Sequence, residues 1–342
     1  MSLEILYVGA RSGTCLQRAG GLEDLGHRIT FIDSGVPEIN TGWYTIYRAV
    51  HQVRRYPDLF RASSRIVKAV SRRPYDLLWI DKGLMIAPGA LSRAREIRPE
   101  MKMVAYSPDD MMNPGNQTRR YLARLPLHDL VVTTKSYNVP ELTDLGARNV
   151  FFVGNAYDPE LHRPMKLSPQ EQDRFGSEVG FVGAYEEDRA DSMIHAAKAG
   201  IPITVHGPGW EHCRDRHPNL RIGESFLRGA DYTRAVVGSR INLGFLRKVN
   251  RDLQTTRSIE IPASGAFMLA ERTDEHLELF REGVEAEFFD SDDEMIDKCR
   301  YYLANEQKRQ AVAGAGLARC RESGYSNQDR LAAILKKLGT AG

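Results

Sequence analysis

The sequence predicts an α/β protein made of two doubly wound, Rossmann-like halves. Short apolar runs alternate with longer amphipathic stretches along the whole chain, a pattern that calls for parallel strands joined by helical crossovers. The rhythm pauses once, at a polar stretch from Gly154 to Pro164 that also holds Pro159, and then restarts. At 342 residues the chain is long enough for two cores of ordinary size.

In the first half, β-branched and apolar runs mark strands at Ile5–Val8, Ile29–Ile32, Leu77–Ile80, Met103–Tyr106, Leu130–Thr133 and Val150–Val153. Helical periodicity fills the intervals over Cys15–Leu25, Leu59–Val70, Ala90–Ile97, Gln117–Leu125 and Val139–Leu145. After the pause, strands are expected near Val179–Val182, Ile203–His206, Ile241–Leu243, Phe267–Leu269 and Glu287–Phe289. Helices are expected near Asp188–Ala199, Tyr232–Val237, Arg257–Ala263, His276–Phe280 and Asp293–Leu303. The tail from Glu306 to Leu338 reads as helix, broken at Gly314, Gly316 and Gly324. These elements divide the chain into domains at 1–164 and 165–325, with a C-terminal helix at 326–342. In such a fold, ligands bind at the C-terminal ends of the strands, here in a cleft between facing halves.

Composition narrows the function. Hydrophobic content of 42% and charged content of 27% are those of a water-soluble globular protein, and a net charge of +2 argues against one that coats nucleic acid. The charge is uneven, however. Arg48, Arg54, Arg55, Arg61, Arg65, Lys68, Arg72 and Arg73 face only Asp58 in sequence, which reads either as a solvated helix face or as a dock for an anionic acceptor or a membrane surface. Cys15, Cys213, Cys299 and Cys320 lie far apart and form neither a disulfide framework nor a zinc site. With no basic leader before the first strand and no apolar run of spanning length, the expected location is cytoplasmic, in part peripheral to a membrane.

The segment from Arg251 to Gly265 carries the most chemistry. Asp252 and Glu260 stand eight residues apart, with Thr255-Thr256-Arg257 between them and the apolar run Ala266–Ala270 after them. A threonine at a helix start leaves backbone N–H groups that attract phosphate, and a carboxylate one turn on accepts hydrogen bonds from vicinal hydroxyls such as those of ribose. An ordinary capped helix before a strand accounts for the same residues. The preceding loop holds Arg247, Lys248 and Arg251, cations able to neutralise a departing diphosphate in place of a metal. Gly183 after a strand lets backbone approach a ligand, and Arg189 on the next helix reaches for phosphate, while Glu186, Glu187 and Asp188 are expected in solvent. Trp210, after Gly207-Pro208-Gly209, offers a ring to stack on a base or an indole to pack in a core. In the first half, the Gly9–Thr14 loop lacks the dinucleotide glycine spacing, so Asp33 is not read as a ribose ligand. Asp109 and Asp110 are candidates for an acceptor-side base or hydroxyl anchor, or for helix capping. No motif suggests a metal site.

These residues resemble a known family. The Gly9 loop, the Leu25-Gly26-His27 turn, Val182-Gly183 with Arg189, Gly207 with Trp210, and Thr255-Thr256-Arg257 with Glu260, Ala263 and Gly265 are similar to the CgeB/YkvP-like group of GT-B glycosyltransferases. The run Leu279–Glu285 and Tyr301–Asn305 are similar too, and the resemblance covers about residues 178–328. It implies two Rossmann-like domains with a nucleoside diphosphate sugar, by family frequency a UDP-sugar, on the second. In related retaining enzymes an acid pair of this spacing puts its second member on ribose and its first near the donor sugar, the places of Glu260 and Asp252. Here the first acid is Asp instead of Glu, and Thr255-Thr256 replaces a Gly-Leu step. The implied activity is metal-independent, retaining transfer of a hexosyl or N-acetylhexosaminyl group to a glycan, lipid-linked, protein or small-molecule hydroxyl, by a monomer or homodimer. Inversion would require a base, Asp109 or Asp110. The alternatives are a nucleotide-sugar epimerase of the same architecture, with His206 available, and a non-catalytic nucleotide-sugar-binding protein.

Overall fold

In the computed structural model, which describes residues 2–35 and 57–340, the chain divides into two units, Met1–Gly154 with Asn327–Gly342, and Asn155–Ser326. Unit 1 is one parallel sheet of six strands, β1 (Glu4–Gly9), β2 (Arg28–Asp33), β3 (Leu77–Asp81), β4 (Lys102–Ser107), β5 (Leu130–Thr133) and β6 (Val150–Phe152), in the order β2-β1-β3-β4-β5-β6. Helices α1 (Gly13–Asp24), α2 (Ala62–Arg72), α3 (Pro88–Ile97), α4 (Arg119–Arg124) and α5 (Asn138–Asp144) supply its connections. Both sheet faces are covered, which is why β3 is buried at every position instead of alternating.

One face carries a ladder of rings across neighbouring strands, Phe31, Tyr7, Trp79 and Tyr106, with centroids 5.3, 6.1 and 5.8 Å apart in turn. Arg18 lies 4.4 Å over the Tyr106 ring, and its guanidinium pairs with Asp81 at 2.7 Å, so this buried cation is neutralised. The last helix, α13 (Asn327–Leu338), packs against α1 in the same unit, and a Cβ at Gly21 would stand 2.8 Å from Leu331. The C-terminal helix therefore belongs to unit 1 with the first half of the chain. On α2, Ile66 and Val70 face the core while Arg65, Lys68 and Arg72 are exposed. Arg48, Arg54 and Arg55 of the same cationic run lie outside the described residues.

His128 is 2% exposed, and neither of its ring nitrogens has a hydrogen-bond partner among the described residues. Burial, then Arg124 and Arg95, hold its pKa well below 6.5, and burial lowers that of His276 in unit 2 as well. The unfolded chain thus binds protons that the folded chain refuses, so stability is full above 6.5 and falls as pH drops below it. Each such histidine contributes about 1.4 kcal/mol per pH unit in that window. Urea midpoints at pH 7.5 and 5.5 should show the loss, and His128→Phe should shallow it; an unchanged slope would contradict this account.

Unit 2 repeats the plan with β7 (Ser177–Val182), β8 (Ile203–His206), β9 (Leu220–Ile222), β10 (Ser239–Gly244), β11 (Met268–Glu271) and β12 (Glu287–Phe289), all parallel in the order β12-β11-β10-β7-β8-β9. Its helices are α6 (Pro169–Phe175), α7 (Glu187–Lys198), α8 (Ala230–Gly238), α9 (Arg257–Ala263), α10 (Asp274–Leu279), α11 (Asp292–Ala304) and α12 (Glu306–Glu322). One sheet face buries Val179, Phe181, Met193, Trp210, Leu243 and Met295, and the other Ile259, Met268, Phe280 and Phe288. Helix α6, absent from the sequence expectation, starts with a full capping box between Ser168 and Glu171. The tail breaks at Asn305 and near Gly324 but runs through Gly314 and Gly316. Gly316 sits inside α12 because a Cβ there would lie 2.4 Å from the Glu285 carbonyl oxygen. All four cysteines are buried thiols, and no helix among the described residues is long and apolar enough to cross a membrane.

Candidate functional site

In unit 2 the chain leaves β7 for β8 and β9 on one side of the sheet and returns to β10 on the other. The strand order therefore reverses between β7 and β10, where an open α/β sheet binds its ligand. The residues grouped there lie on β7, in the loops after β8 and β10, and on α7 and α9. Phe181, near the end of β7, meets Phe245 at 5.7 Å and Trp210 at 6.1 Å, both edge to face. The guanidinium carbons of Arg189 and Arg257 each lie 5.7 Å from the centroid of the same Phe181 ring.

Arg189 is only 3% exposed. Its Nη1 donates to the Ala184 carbonyl at 3.1 Å, and Nη2 lies 3.5 Å from Glu186 Oε2 without a hydrogen bond, while Nε has none either. Burial and the neighbouring Arg257 push its pKa down to about 10. Arg257 donates from Nη2 to the Phe245 carbonyl at 3.3 Å, and its Nε is buried without a partner. Two cations thus repel each other beside one ring with N–H donors unmet, and the 3.5 Å pairing of Arg189 with Glu186 offsets only part of the cost, so a further anion would be favoured.

The other cations are already paired. Arg247 Nε donates to Glu186 Oε1 at 2.9 Å, and Lys248 Nζ to Asp188 Oδ2 at 2.8 Å. Glu187 and Asp188 are exposed, as expected, whereas Glu186 is half-buried; Glu186 and Asp188 also hold the Arg247–Lys248 loop by ion pairs. Exposed ion pairs of this kind are weak and open readily to a competing anion. Arg189 and Arg257, in contrast, keep guanidinium N–H groups without hydrogen-bond partners.

Trp210 is fully buried, and its Nε1 donates to the Gly183 carbonyl at 2.9 Å. Both faces of the indole are enclosed by the core, so it positions the Gly183 loop and does not stack on a base. Gly183 itself is required by Phe181, whose ring would stand 2.6 Å from an added Cβ. At Gly207, with φ of +144°, a Cβ would fall 1.9 Å from the same Gly183 carbonyl oxygen. The strand-end loops of β7 and β8 therefore touch backbone to backbone.

The loop before α9 is pinned from α10. Gln254 accepts from the Asn155 N–H at 3.1 Å and donates to Glu275 at 2.7 Å, and Thr273 Oγ1 donates to the Leu253 carbonyl at 2.6 Å. His276 Nδ1 meets the Glu271 carbonyl at 2.7 Å, which can only accept, so the ring proton is on Nδ1. Its Nε2 then accepts from the Ser258 hydroxyl at 2.7 Å, and that oxygen accepts from the Thr255 N–H at 3.0 Å. Arg251 takes a left-handed backbone, φ +49°, at the turn, and the buried Asp252 follows with its N–H bonded to the Arg247 carbonyl at 3.2 Å. Helix α9 begins after Thr256, whose side chain caps nothing, so the amides of Thr256 and Arg257 open the first turn with no preceding carbonyl to meet them. Glu260 is buried on this helix, its Oε2 accepting from Tyr232 Oη at 2.7 Å.

In unit 1 the acidic pair separates. Asp110 is 1% exposed and its Oδ1 accepts from the Met112 N–H and from Asn138 Nδ2, both at 2.9 Å, so it organises a turn and is withdrawn from solvent. Asp109 is accessible and ion-paired with Lys82, itself in a left-handed backbone, φ +59°, at the C-terminal end of β3. Sequence reasoning did not single out Phe181, His162, Tyr232, Gln254, His276 or Lys82. A ring inside a strand, or one histidine in a polar linker, carries no spacing that marks it.

Residues 189–336 match the model of a family described as glycosyl transferase-like. No curated protein sequence matches the chain. Among solved structures, an α-glucosyltransferase in complex with UDP and a 13-mer DNA containing a HMU base superimposes with a TM-score of 0.70 at 11% identity, covering 99% of this chain and 100% of that one. Anabaena Alr3699/HepE in complex with UDP and glucose gives 0.64 at 14% identity, covering 98% and 100%. A putative UDP-N-acetylglucosamine 2-epimerase from Listeria monocytogenes gives 0.61 at 11%, covering 99% and 97%. At these identities the likeness is one of fold. The chain is thus a two-unit protein of GT-B fold whose residues 189–336 match the model of a glycosyl transferase-like family.

Proposed function

We propose that the protein transfers a glycosyl group from a nucleoside diphosphate sugar, with UDP the favoured nucleotide, to a hydroxyl acceptor. The observation that carries this reading is the pair Arg189 and Arg257, half-satisfied cations at the point where the unit 2 sheet reverses. A diphosphate supplies the missing acceptors. In the reaction the sugar C1–O bond to the diphosphate breaks, a bond from C1 to the acceptor oxygen forms, and the proton of the acceptor hydroxyl passes to the departing diphosphate. Negative charge grows on the departing phosphate oxygen, and the two guanidiniums with the opening amides of α9 stabilise it. We assign Glu260 to the ribose hydroxyls and Asp252 to the donor sugar. The chemistry runs without a metal because the arginines supply the positive charge, so activity should survive a chelator. Retention, a hexosyl or N-acetylhexosaminyl donor, membership of the CgeB/YkvP-like group and Asp109 as the acceptor-side carboxylate complete the proposal.

Two relatives of the same fold were solved with UDP, which supports the choice of nucleotide. The net charge of +2 favours a glycan, lipid-linked, protein or small-molecule acceptor over nucleic acid. A thermal-shift panel of UDP, GDP, dTDP, CMP and ADP tests the donor, since a selective ligand raises the melting temperature. UDP should stabilise most, and Glu260→Ala should weaken its binding by about 1–3 kcal/mol in calorimetry. Stabilisation by none of the five would overturn the reading. The epimerase fold-relative motivates a second assay. Interconversion of a UDP-sugar without acceptor would favour isomerisation, and UDP release that depends on acceptor favours transfer.

A further inference from the structure

A carboxylate reads ribose only if its oxygens are held in place, and Glu260 is held from two sides within unit 2. Tyr232, on α8, donates its hydroxyl to Glu260 Oε2 at 2.7 Å. Burial and the adjacent carboxylate keep that phenol well above its usual pKa of 10, so it remains a donor. On the other side, His162 Nε2 stands 3.8 Å from Glu260 Oε1, too far for a hydrogen bond but close enough to orient the charge. His162 is 2% exposed, and its Nδ1 accepts from the Asp158 N–H at 3.0 Å, which places the ring proton of the neutral form on Nε2, toward Glu260. The His162 and Tyr232 rings meet edge to face at 5.7 Å, so each fixes the other. Ser264, just past the end of α9, donates its hydroxyl to the Glu260 backbone carbonyl at 2.8 Å and so fixes the main chain that carries the side chain.

We infer that Tyr232 and His162 are positioning residues that fix the Glu260 carboxylate for a vicinal diol, and so set selectivity for ribonucleotides over deoxyribonucleotides. This rests on the reading of Glu260 as the ribose ligand. Tyr232 occupies one acceptor site of Oε2, and the remaining lone pairs of the two oxygens are presented in a fixed plane. Without the phenol the side chain turns about its three torsions, and a diol loses more than a single hydroxyl does.

The test is a calorimetric titration of the full chain with UDP, 2′-deoxy-UDP and 3′-deoxy-UDP, for wild type, Tyr232→Phe, His162→Ala and His162→Gln, each checked first for a cooperative thermal transition. Wild type should bind UDP at least about 10-fold more tightly than either deoxy analogue, as expected for a hydrogen bond to a charged group. Tyr232→Phe should lose most of that gap by weakening UDP alone. His162→Ala should lose part of it, and His162→Gln should regain it because its amide reaches the same point. If Tyr232→Phe does not fold, the two His162 variants carry the test on their own. Folded variants that keep the wild-type gap, or that weaken all three ligands equally, would overturn the proposal. Wild type that binds UDP and its deoxy analogues alike would instead remove the ribose reading of Glu260 on which it stands.

Discussion

Arg189→Leu is expected to lower kcat/KM for glycosyl transfer by about 10²–10³-fold, the size of loss seen when one preorganised donor to a developing anion is removed. The same variant should melt at the same temperature as wild type or higher when no nucleotide is present. The two effects share a cause. Arg189 is enclosed beside Phe181, repelled by Arg257, and lacks hydrogen bonds at two of its nitrogens, so its bond to Ala184 and its 3.5 Å pairing with Glu186 do not offset the cost of burying its charge. An anion reverses that balance, and leucine replaces the stem while deleting the charge. Arg189→Lys should recover little, because a point charge cannot present the planar fork. A lower melting temperature for Arg189→Leu with full activity would mean that the residue is a structural cation. Steady-state kinetics and scanning calorimetry on one preparation decide between these results.

Gly207→Ala is the largest expected loss of stability, at least about 3 kcal/mol. The new methyl would lie 1.9 Å from the Gly183 carbonyl oxygen, and both partners are backbone with little room to yield. That carbonyl also takes the Trp210 N–H, so the disturbance passes into the core cluster that carries Phe181. Gly200 provides the contrast, with φ of +90° and no atom within 4 Å of an added Cβ. Gly200→Ala should cost only the left-handed backbone strain of about 1–2 kcal/mol. Denaturation curves with equal midpoints for the two variants would contradict the contact.

The α/β alternation was legible because strands covered on both faces leave continuous apolar runs, and β7 and β10, which carry the candidate-site loops, are among them. What escaped was short or locally capped. Strand β9, Leu220–Ile222, has only its first residue buried, so it shows no run, and α6 is declared by the Ser168–Glu171 box more than by its periodicity. At the candidate site, Glu260 and Arg189 stand out in the sequence because each lies on a helix that follows a strand-end loop. The exchange of partners could not: Glu186 and Asp188 lie some sixty positions from Arg247 and Lys248, and only the sheet order brings them together. The seclusion of Trp210 and Asp110 is likewise a property of packing, invisible in a tryptophan after Gly-Pro-Gly or in two adjacent acids.

The central claim is that the reversal point of the unit 2 sheet holds a nucleoside diphosphate between Arg189 and Arg257. Calorimetric titration of wild type and the Arg189→Leu, Arg257→Leu double variant with UDP and with uridine tests it most directly. The account predicts that the double variant binds UDP at least about 100-fold more weakly, as loss of charge-assisted hydrogen bonds implies, while uridine binds both proteins equally. A folded double variant that binds UDP as tightly as wild type would contradict it.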